Sequence, residues 1–188
     1  VPDGDTRPAR VVRQSRGAWH VHDGTEEVLG RARSRALTPT PVTGDWVLVR
    51  GDADGCIIED VLPRRSTLSR KEAGGRSEEQ VIAANVDVVA ICTPANDVNA
   101  RRLEREQTAV WSSGATPLVV ITKADLADDV HEVLAEVESV SLGVDVVAVS
   151  SSLGEGLDEL RARLAPGSTT VLIGPSGVGK SSLVNALA

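Results

Sequence analysis

The sequence predicts two folded parts in one chain, an all-β barrel at the N-terminus and an α/β domain after it. Short apolar runs separated by turn signals fill residues 10–62, whereas strand and helix patterns alternate after residue 85. The chain has 188 residues, of which 41% are hydrophobic, which is enough for two small domains with a core each. Because Phe, Tyr and Met are absent, we expect these cores to consist of Val, Leu, Ala and Ile.

Five strand-like runs follow one another in the N-terminal part. Turn signals such as Asp23-Gly24 and Gly44-Asp45 separate them. Five short strands at this spacing are typical of a small antiparallel barrel of the oligonucleotide-binding (OB) type, and we assign residues 1–62 to an OB-fold-like barrel. The runs cover residues 10–13, 18–21, 27–32, 46–49 and 56–61.

Arginines are clustered in this predicted barrel. Arg31, Arg33 and Arg35 alternate along the chain, so that in a strand they would project from one face. Two interpretations fit this pattern, a solvated strand edge protected by charge and a surface that contacts RNA. Trp19 and Trp46 could offer bases a stacking surface, but with no other aromatic residue nearby we expect both in the core.

A change of pattern marks the second part of the chain. Residues 63–85 contain Pro63, two glycines and many charges, which suggests a linker. Strand-like and helical patterns then alternate through residues 86–188, and this alternation predicts a parallel sheet with right-handed crossovers. Cys56 and Cys92 each lie inside an apolar strand-like run, so we expect buried thiols. The predicted strands cover 86–92, 118–121, 145–149 and 169–173, and the predicted helices 100–111, 130–137, 157–164 and 182–187.

A phosphate-binding loop lies near the end of the chain. The run Gly174-Pro175-Ser176-Gly177-Val178-Gly179-Lys180-Ser181 fits the pattern G-x-x-x-x-G-K-[ST] between a predicted strand and a predicted helix. Its backbone N–H groups would hold phosphate oxygens, Lys180 would neutralise the charge that develops in a transition state, and Ser181 would ligate Mg²⁺. The chain has 17 arginines but only 3 lysines, so a lysine here indicates that a compact ammonium is required.

Two further motifs follow earlier predicted strands, and they bear on whether the bound nucleotide carries guanine or adenine. Thr122-Lys123-Ala124-Asp125 resembles the N-K-x-D motif of GTPases, in which a carboxylate accepts hydrogen bonds from guanine N1–H and the N2 amine. Ser150-Ser151-Ser152 resembles the S-A-K motif. A helix N-cap is the alternative role for Asp125. Thr122 replaces the usual Asn, so we expect altered affinity with guanine preference retained. The predicted nucleotide-binding residues are Thr122, Lys123, Ala124, Asp125, Ser150, Ser151, Ser152, Gly174, Pro175, Ser176, Gly177, Val178, Gly179, Lys180, Ser181 and Ser182.

The order of these motifs is inverted. Ordinary GTPases begin with the phosphate loop, whereas here the base-reading motifs come first, as in a circularly permuted GTPase. With this order, the chain resembles the ribosome small subunit-dependent GTPase A family. The segments that carry the resemblance are Gly44-Asp45-Trp46-Val47, Leu68-Ser69-Arg70-Lys71, Ala83-Ala84-Asn85-Val86-Asp87, Thr122 to Leu126, Gly154-Glu155-Gly156-Leu157 and Gly174 to Leu183.

The resemblance implies a GTPase that hydrolyses GTP to GDP, with Mg²⁺, during late maturation of the small (30S) ribosomal subunit. It implies a barrel that binds ribosomal RNA and a zinc-binding C-terminal domain that residues 1–188 do not contain. We also expect a monomer. The permuted order puts the switch regions after Ala188, so we expect residues 1–188 to be the first part of a longer protein. This part alone is expected to bind nucleotide weakly, if at all, and not to hydrolyse GTP. Asp52-Ala53-Asp54-Gly55 fits the switch pattern D-x-x-G, but inside the barrel it is expected to be a hairpin turn.

Three alternatives also fit the sequence: an ATP-using P-loop enzyme, a permuted GTPase of large-subunit assembly, and a non-hydrolysing RNA-binding fragment.

The distribution of charge along the chain indicates how an anion would be bound. Residues 1–85 carry 13 basic and 13 acidic side chains, and residues 86–188 carry 7 and 14, so the anion site must be local. No apolar run approaches the roughly 18 residues of a membrane span, and no signal-peptide pattern begins the chain. We therefore expect a cytoplasmic protein with no membrane partner.

Overall fold

The computed structural model describes residues 6–15, 17–34, 36–52, 55–71 and 79–188. The chain divides into two compact units, Val1–Asn85 and Val86–Ala188.

A closed five-stranded barrel forms most of the first unit, as predicted. Its strands are β1 (Thr6–Ser15), β2 (Ala18–His22), β3 (Glu27–Ala32), β4 (Trp46–Asp52) and β5 (Gly55–Val61). They pair in the order β1-β2-β3-β5-β4, and among these pairs only β3 and β5 are parallel. Alternate residues point inward, and Val21, Val47 and Ile58 are fully buried in the barrel core. The D-x-x-G match therefore connects β4 to β5, which pair up to Asp52 and Gly55.

The two tryptophans of the barrel differ in environment. Trp19 is buried, and its indole N–H donates to the carbonyl of Pro41 at 2.7 Å. Trp46 is 39% exposed, and the guanidinium of Arg10 lies 5.3 Å from its ring centroid. The prediction that both lie in the core is thus wrong for Trp46, because strand alternation directs its neighbour Val47 inward and Trp46 outward.

The segment 63–85 contains regular structure, although its composition suggested a linker. β6 (Thr67–Lys71) pairs antiparallel with β7 (Glu79–Ala84). The C-terminal end of the segment is attached to the barrel's 40–45 turn: the N–H of Ala84 donates to the carbonyl of Thr43 at 3.0 Å, and the side-chain amide of Asn85 donates to the carbonyl of Gly44 at 3.0 Å. Composition does not reveal these contacts, since most of them involve backbone groups.

A buried ion pair contributes to this attachment. Asp45 is fully buried and accepts two hydrogen bonds from Arg64, both at 2.8 Å, as well as one from the N–H of Val42. Arg64 also donates to the carbonyl of Thr40 at 2.9 Å. The planar guanidinium matches the carboxylate in a bidentate arrangement, which fixes the 40–45 turn against the segment that follows β5.

We expect Asp45→Asn to lower the free energy of unfolding of the barrel by about 3–5 kcal/mol, because it leaves the Arg64 charge without its partner. The measurement is urea unfolding followed by fluorescence in a Trp111→Phe background, in which only the tryptophans of the barrel report. The control is Arg33→Gln, which removes an exposed pair with Glu59 and should cost less than about 1 kcal/mol. Equal losses in the two variants would contradict this prediction.

The second unit is the predicted α/β arrangement. Its elements are β8 (Val88–Pro94), α1 (Ala100–Ser112), β9 (Thr116–Thr122), α2 (Val130–Ser139), β10 (Asp145–Ala148), α3 (Leu157–Arg163), β11 (Thr170–Ile173) and α4 (Lys180–Leu187). The four strands form a parallel sheet in the order β10-β9-β8-β11. The helix after the phosphate loop, α4, begins two residues earlier than expected. Burial raises the pKa of Cys92 in β8 to about 11, so this free thiol stays protonated.

The parallel arrangement determines where the motifs meet. Since all four strands run in the same direction, the residues that follow β9, β10 and β11 lie at the same end of the sheet, where the carboxyl ends of its strands meet. These residues are the three predicted motifs. None of the helices in the described residues is long and apolar enough to cross a membrane.

Candidate nucleotide-binding site

The phosphate loop connects β11 to α4 and begins in close contact with β8. Gly174 has φ +140°, and a Cβ there would lie 2.5 Å from the carbonyl oxygen of Cys92, so this position requires glycine. Gly179, with φ +103°, precedes the first residue of α4. The loop thus presents the N-terminus of a helix to any anion at the edge of the sheet.

Lys180 is the first residue of α4 and folds back over the loop. Its ammonium donates to the carbonyl of Gly174 at 3.0 Å and to that of Pro175 at 2.8 Å. These bonds hold the charge above the loop. Ser181 and Ser182 are exposed in the first turn of α4. The exposed hydroxyl of Ser181 is an oxygen ligand of the kind that Mg²⁺, a hard cation, prefers.

Thr122 connects the predicted base-reading motif, residues 122–125 at the end of β9, to the phosphate loop. Its side chain is buried, and its hydroxyl lies 2.6 Å from the carbonyl oxygen of Val178 and 3.3 Å from that of Thr93. The shorter contact is the hydrogen bond that Thr122 donates to the phosphate loop. The two halves of the site are thereby connected through one buried side chain.

Asp125 lies in a short 3-10 turn, Ala124–Leu126, after Lys123 in a left-handed conformation. Its carboxylate is exposed and accepts a hydrogen bond from the hydroxyl of Ser152 at 3.2 Å. The N-cap alternative is wrong, because Asp129 caps α2. Asp125 is therefore available to bind a ligand.

A chain of hydroxyls holds this carboxylate. Leu153 N–H donates to the hydroxyl oxygen of Ser150 at 3.2 Å, and the hydroxyls of Ser150 and Ser152 lie 2.9 Å apart. Hydrogen bonding to Ser150, and then to Ser152, lowers the pKa of Asp125 below its usual range. The carboxylate is consequently ionised at neutral pH and accepts hydrogen bonds only, as a reader of guanine N1–H and N2 requires.

Several contributors to this site were not predicted. Thr93, whose carbonyl oxygen lies 3.3 Å from the Thr122 hydroxyl, was not predicted, and although Val178 was predicted, its role as the acceptor from Thr122 was not, because no residue pattern identifies a backbone acceptor. Gly156 has φ +72°, and a Cβ there would overlap the carbonyl oxygen of Ala148, so Gly156 lets the 150–156 loop fold back onto β10. The G-x-G spacing at 154–156 was the available signal for this loop.

The predicted arginine face of the barrel is only partly present. Arg31 is exposed in β3, whereas Arg33 follows the end of the strand and lies 3.5 Å from Glu59. Arg35 lies outside the described residues. The three arginines therefore do not share one strand, because β3 ends at Ala32. Arg31 instead lines a cavity of about 480 Å³ together with Trp19, Leu37 and Pro41.

The parallel sheet, the phosphate loop and the base-reading loops before it define a nucleotide-binding domain of the GTPase class in permuted order. The chain belongs to the RsgA GTPase family, whose model matches residues 61–188. It is 41% identical over 186 residues to small ribosomal subunit biogenesis GTPase RsgA 2 of Lactiplantibacillus plantarum, covering 95% of this chain and 53% of that protein. It is 43% identical over 187 residues to RsgA of Streptomyces avermitilis, covering 95% and 50%.

Solved structures agree with this membership. The crystal structure of YjeQ from Thermotoga maritima matches with a TM-score of 0.81 at 27% identity, over 97% of this chain and 65% of that one. That of YloQ, described as a circularly permuted GTPase, matches with a TM-score of 0.71 at 25% identity, over 97% and 64%. The chain spans about half the length of the curated relatives it matches.

We expect Thr122→Val to weaken GDP binding about tenfold, because the carbonyl of Val178 loses its donor while side-chain shape is kept. The measurement is titration of a fluorescent GDP analogue. Thr122→Ser keeps the hydroxyl and is the matched control, expected within about threefold of the original protein. If the Val and Ser variants bind GDP equally, the hydroxyl does not position the loop.

Proposed function

We propose that this protein is a guanine-nucleotide-binding GTPase that hydrolyses GTP to GDP and phosphate in late maturation of the small ribosomal subunit. The relatives in Lactiplantibacillus plantarum and Streptomyces avermitilis are named small ribosomal subunit biogenesis GTPases. The proposed role is cytoplasmic, and the proposed partner is the small subunit with its ribosomal RNA.

One observation carries the nucleotide part of the proposal. The hydroxyl of Thr122, in the predicted base-reading motif 122–125, donates to the carbonyl of Val178 in the phosphate loop. The hydroxyl of Ser152, in the motif 150–152, donates to the carboxylate of Asp125. Three motifs that are distant in sequence are therefore connected at one edge of the sheet. Such connection is expected when a single ligand spans a base site and a phosphate site.

The roles proposed for the residues follow from their chemistry. Asp125 accepts from guanine N1–H and N2, and the stem of Lys123 packs along the base. Backbone N–H groups of the loop and of the first turn of α4 bind the phosphates, assisted by the charge of Lys180. The compact Lys180 charge is also the one positioned to stabilise negative charge that develops on the transferred phosphoryl group.

Mg²⁺ is the cofactor that we propose for Ser181, whose exposed hydroxyl is the ligand this chain would supply. The ion would supply positive charge between the β- and γ-phosphates. No residue of this chain is proposed as a zinc ligand.

We also propose that the barrel contacts RNA near Arg31. The cavity beside this residue has apolar walls from Leu37 and Pro41, and its volume of about 480 Å³ can admit one unstacked base. Arg31 would then meet a neighbouring phosphate. We expect Arg31→Ala to reduce both RNA affinity and the salt dependence of that affinity, as loss of a phosphate contact requires.

The experiment that tests the proposed function is GTP turnover by the purified full-length protein with added ribosomal subunits. Turnover should rise with isolated small subunits and stay at its basal rate with large subunits. Stimulation by large subunits alone would assign the protein to the assembly of that subunit instead. An excess of ATP should fail to displace labelled GDP, and efficient displacement by ATP would overturn the guanine assignment.

A further inference from the structure

A groove along the outer edge of the nucleotide-domain sheet has no role in the proposed nucleotide site. β10 is the outermost strand of the four-stranded sheet, so one side of its backbone has no neighbouring strand within the described residues. A cavity of about 330 Å³ lies along this edge. An open strand edge beside a cavity is a place where an extended segment can add to a sheet.

The floor of the groove is apolar. Val130 and Leu134 lie one turn apart on α2 and therefore on the same face, and Val146 and Ala148 belong to β10. All four are half-buried, so part of their apolar surface faces the groove. Covering this surface would be favourable by the hydrophobic effect, which gives a docked segment a source of affinity.

Three glutamates, Glu138, Glu155 and Glu159, form the rim. Glu159 lies 3.1 Å from Arg163, while no cation is recorded within ion-pair distance of Glu138 or Glu155 in the described part of the chain. The surrounding unit is also acidic, with 7 basic and 14 acidic side chains in residues 86–188. Such a rim repels RNA phosphates and attracts lysine or arginine side chains.

We propose that this groove binds an extended basic segment of a protein, which adds to the edge of β10 with apolar side chains on the floor and lysines or arginines at the rim. In an extended segment alternate side chains point to opposite sides, so apolar and basic residues can be separated in this way. If the function proposed above is correct, this segment belongs to a basic protein of the small ribosomal subunit; that identification rests on the proposed function, whereas peptide binding does not.

The first test uses a short synthetic peptide of alternating valine and lysine, with a valine–glutamate peptide of equal length as its counterpart. The lysine peptide should bind and the glutamate peptide should not. Replacing Glu138, Glu155 and Glu159 together by Gln should weaken binding by at least about tenfold. The matched control replaces the exposed Glu104, Glu132 and Glu136 by Gln, removes the same charge outside the groove, and should change affinity less than about twofold.

The other outcomes of this test are informative. Equal weakening by both triple variants would show attraction to net charge alone and would overturn the proposal. If the groove variant self-associates but still binds the peptide, the glutamates serve to prevent pairing between strand edges of two molecules. That outcome would also overturn the proposal.

The second test places a photoreactive residue at position 134 and adds isolated small subunits. Crosslinks should join position 134 to a subunit protein and not to RNA, while a photoreactive residue at Leu142, which is 87% exposed outside the groove, should give no crosslink to that protein. Crosslinks from position 134 to RNA, or none despite subunit binding, would overturn the proposal. Failure of the whole protein to bind subunits would count against the proposed function, and the peptide test would still decide the groove.

Discussion

Asp125→Asn should change the base preference of the protein from guanine to xanthine. The carboxylate of Asp125 only accepts hydrogen bonds, which suits the N1–H and N2 donors of guanine. An amide presents a donor to the N2 amine of guanine, but the same donor suits the carbonyl that xanthine carries at that position. We expect GDP affinity to fall at least about 100-fold, or about 2.8 kcal/mol, and xanthosine diphosphate to become the better ligand. Competition titrations with both diphosphates measure this exchange.

The control for this exchange is Asp128→Asn, which changes an exposed carboxylate outside the three motifs. It should leave GDP affinity within about twofold. A second measurement uses pH: because hydrogen bonding lowers the pKa of Asp125 below the usual aspartate value of about 3.9, its carboxylate should stay ionised, and GDP should stay bound, at pH values where an ordinary aspartate is partly protonated. If the Asn variant binds GDP as well as the original protein does, Asp125 is not the residue that reads guanine.

Lys180→Ala should remove most of the affinity for GDP and GTP, by at least about 100-fold. The ammonium of Lys180 is held over the phosphate loop by the carbonyls of Gly174 and Pro175, at the proposed phosphate site of an acidic domain. No broad basic field replaces it when it is lost. Equilibrium titration with a fluorescent GDP analogue measures the loss, and thermal unfolding shows whether the domain still folds.

Lys180→Arg is the informative companion to this variant because it keeps the charge and changes its shape. The planar guanidinium is larger than the ammonium and cannot occupy the same position between two loop carbonyls. We expect it to bind GDP at least about tenfold more weakly than the original protein, though better than the Ala variant. Affinity of the Ala variant within about threefold of the original would show that Lys180 does not bind phosphate.

Local sequence patterns predicted much of the fold. The five barrel strands follow from short apolar runs with glycine turns between them, and the α/β unit follows from alternating strand and helix periodicity. The phosphate loop could be predicted because its glycines have a steric purpose that any similar loop shares. At Gly174 that purpose is contact with the carbonyl of Cys92.

Predictions failed where the outcome depended on contacts made across the fold. The charged segment 63–85 pairs with itself and is attached to the barrel through Arg64 and Asp45, which are 19 positions apart. Trp46 lies outside the barrel because strand alternation directs Val47 inward. Arg33 lies beyond the end of β3, and nothing in the arginine spacing indicates where that strand ends.

The two kinds of architecture, the motifs and their permuted order can be predicted from the amino-acid sequence, because hydrophobic periodicity and loop chemistry act over a few neighbouring residues. How the motifs cooperate depends on contacts made across the fold. The hydroxyl of Thr122 meets the carbonyl of Val178, and a chain of hydroxyls ends at Asp125. These hydrogen bonds join residues 56 and 27 positions apart, and they exist because parallel strands bring their carboxyl ends to one edge of a sheet.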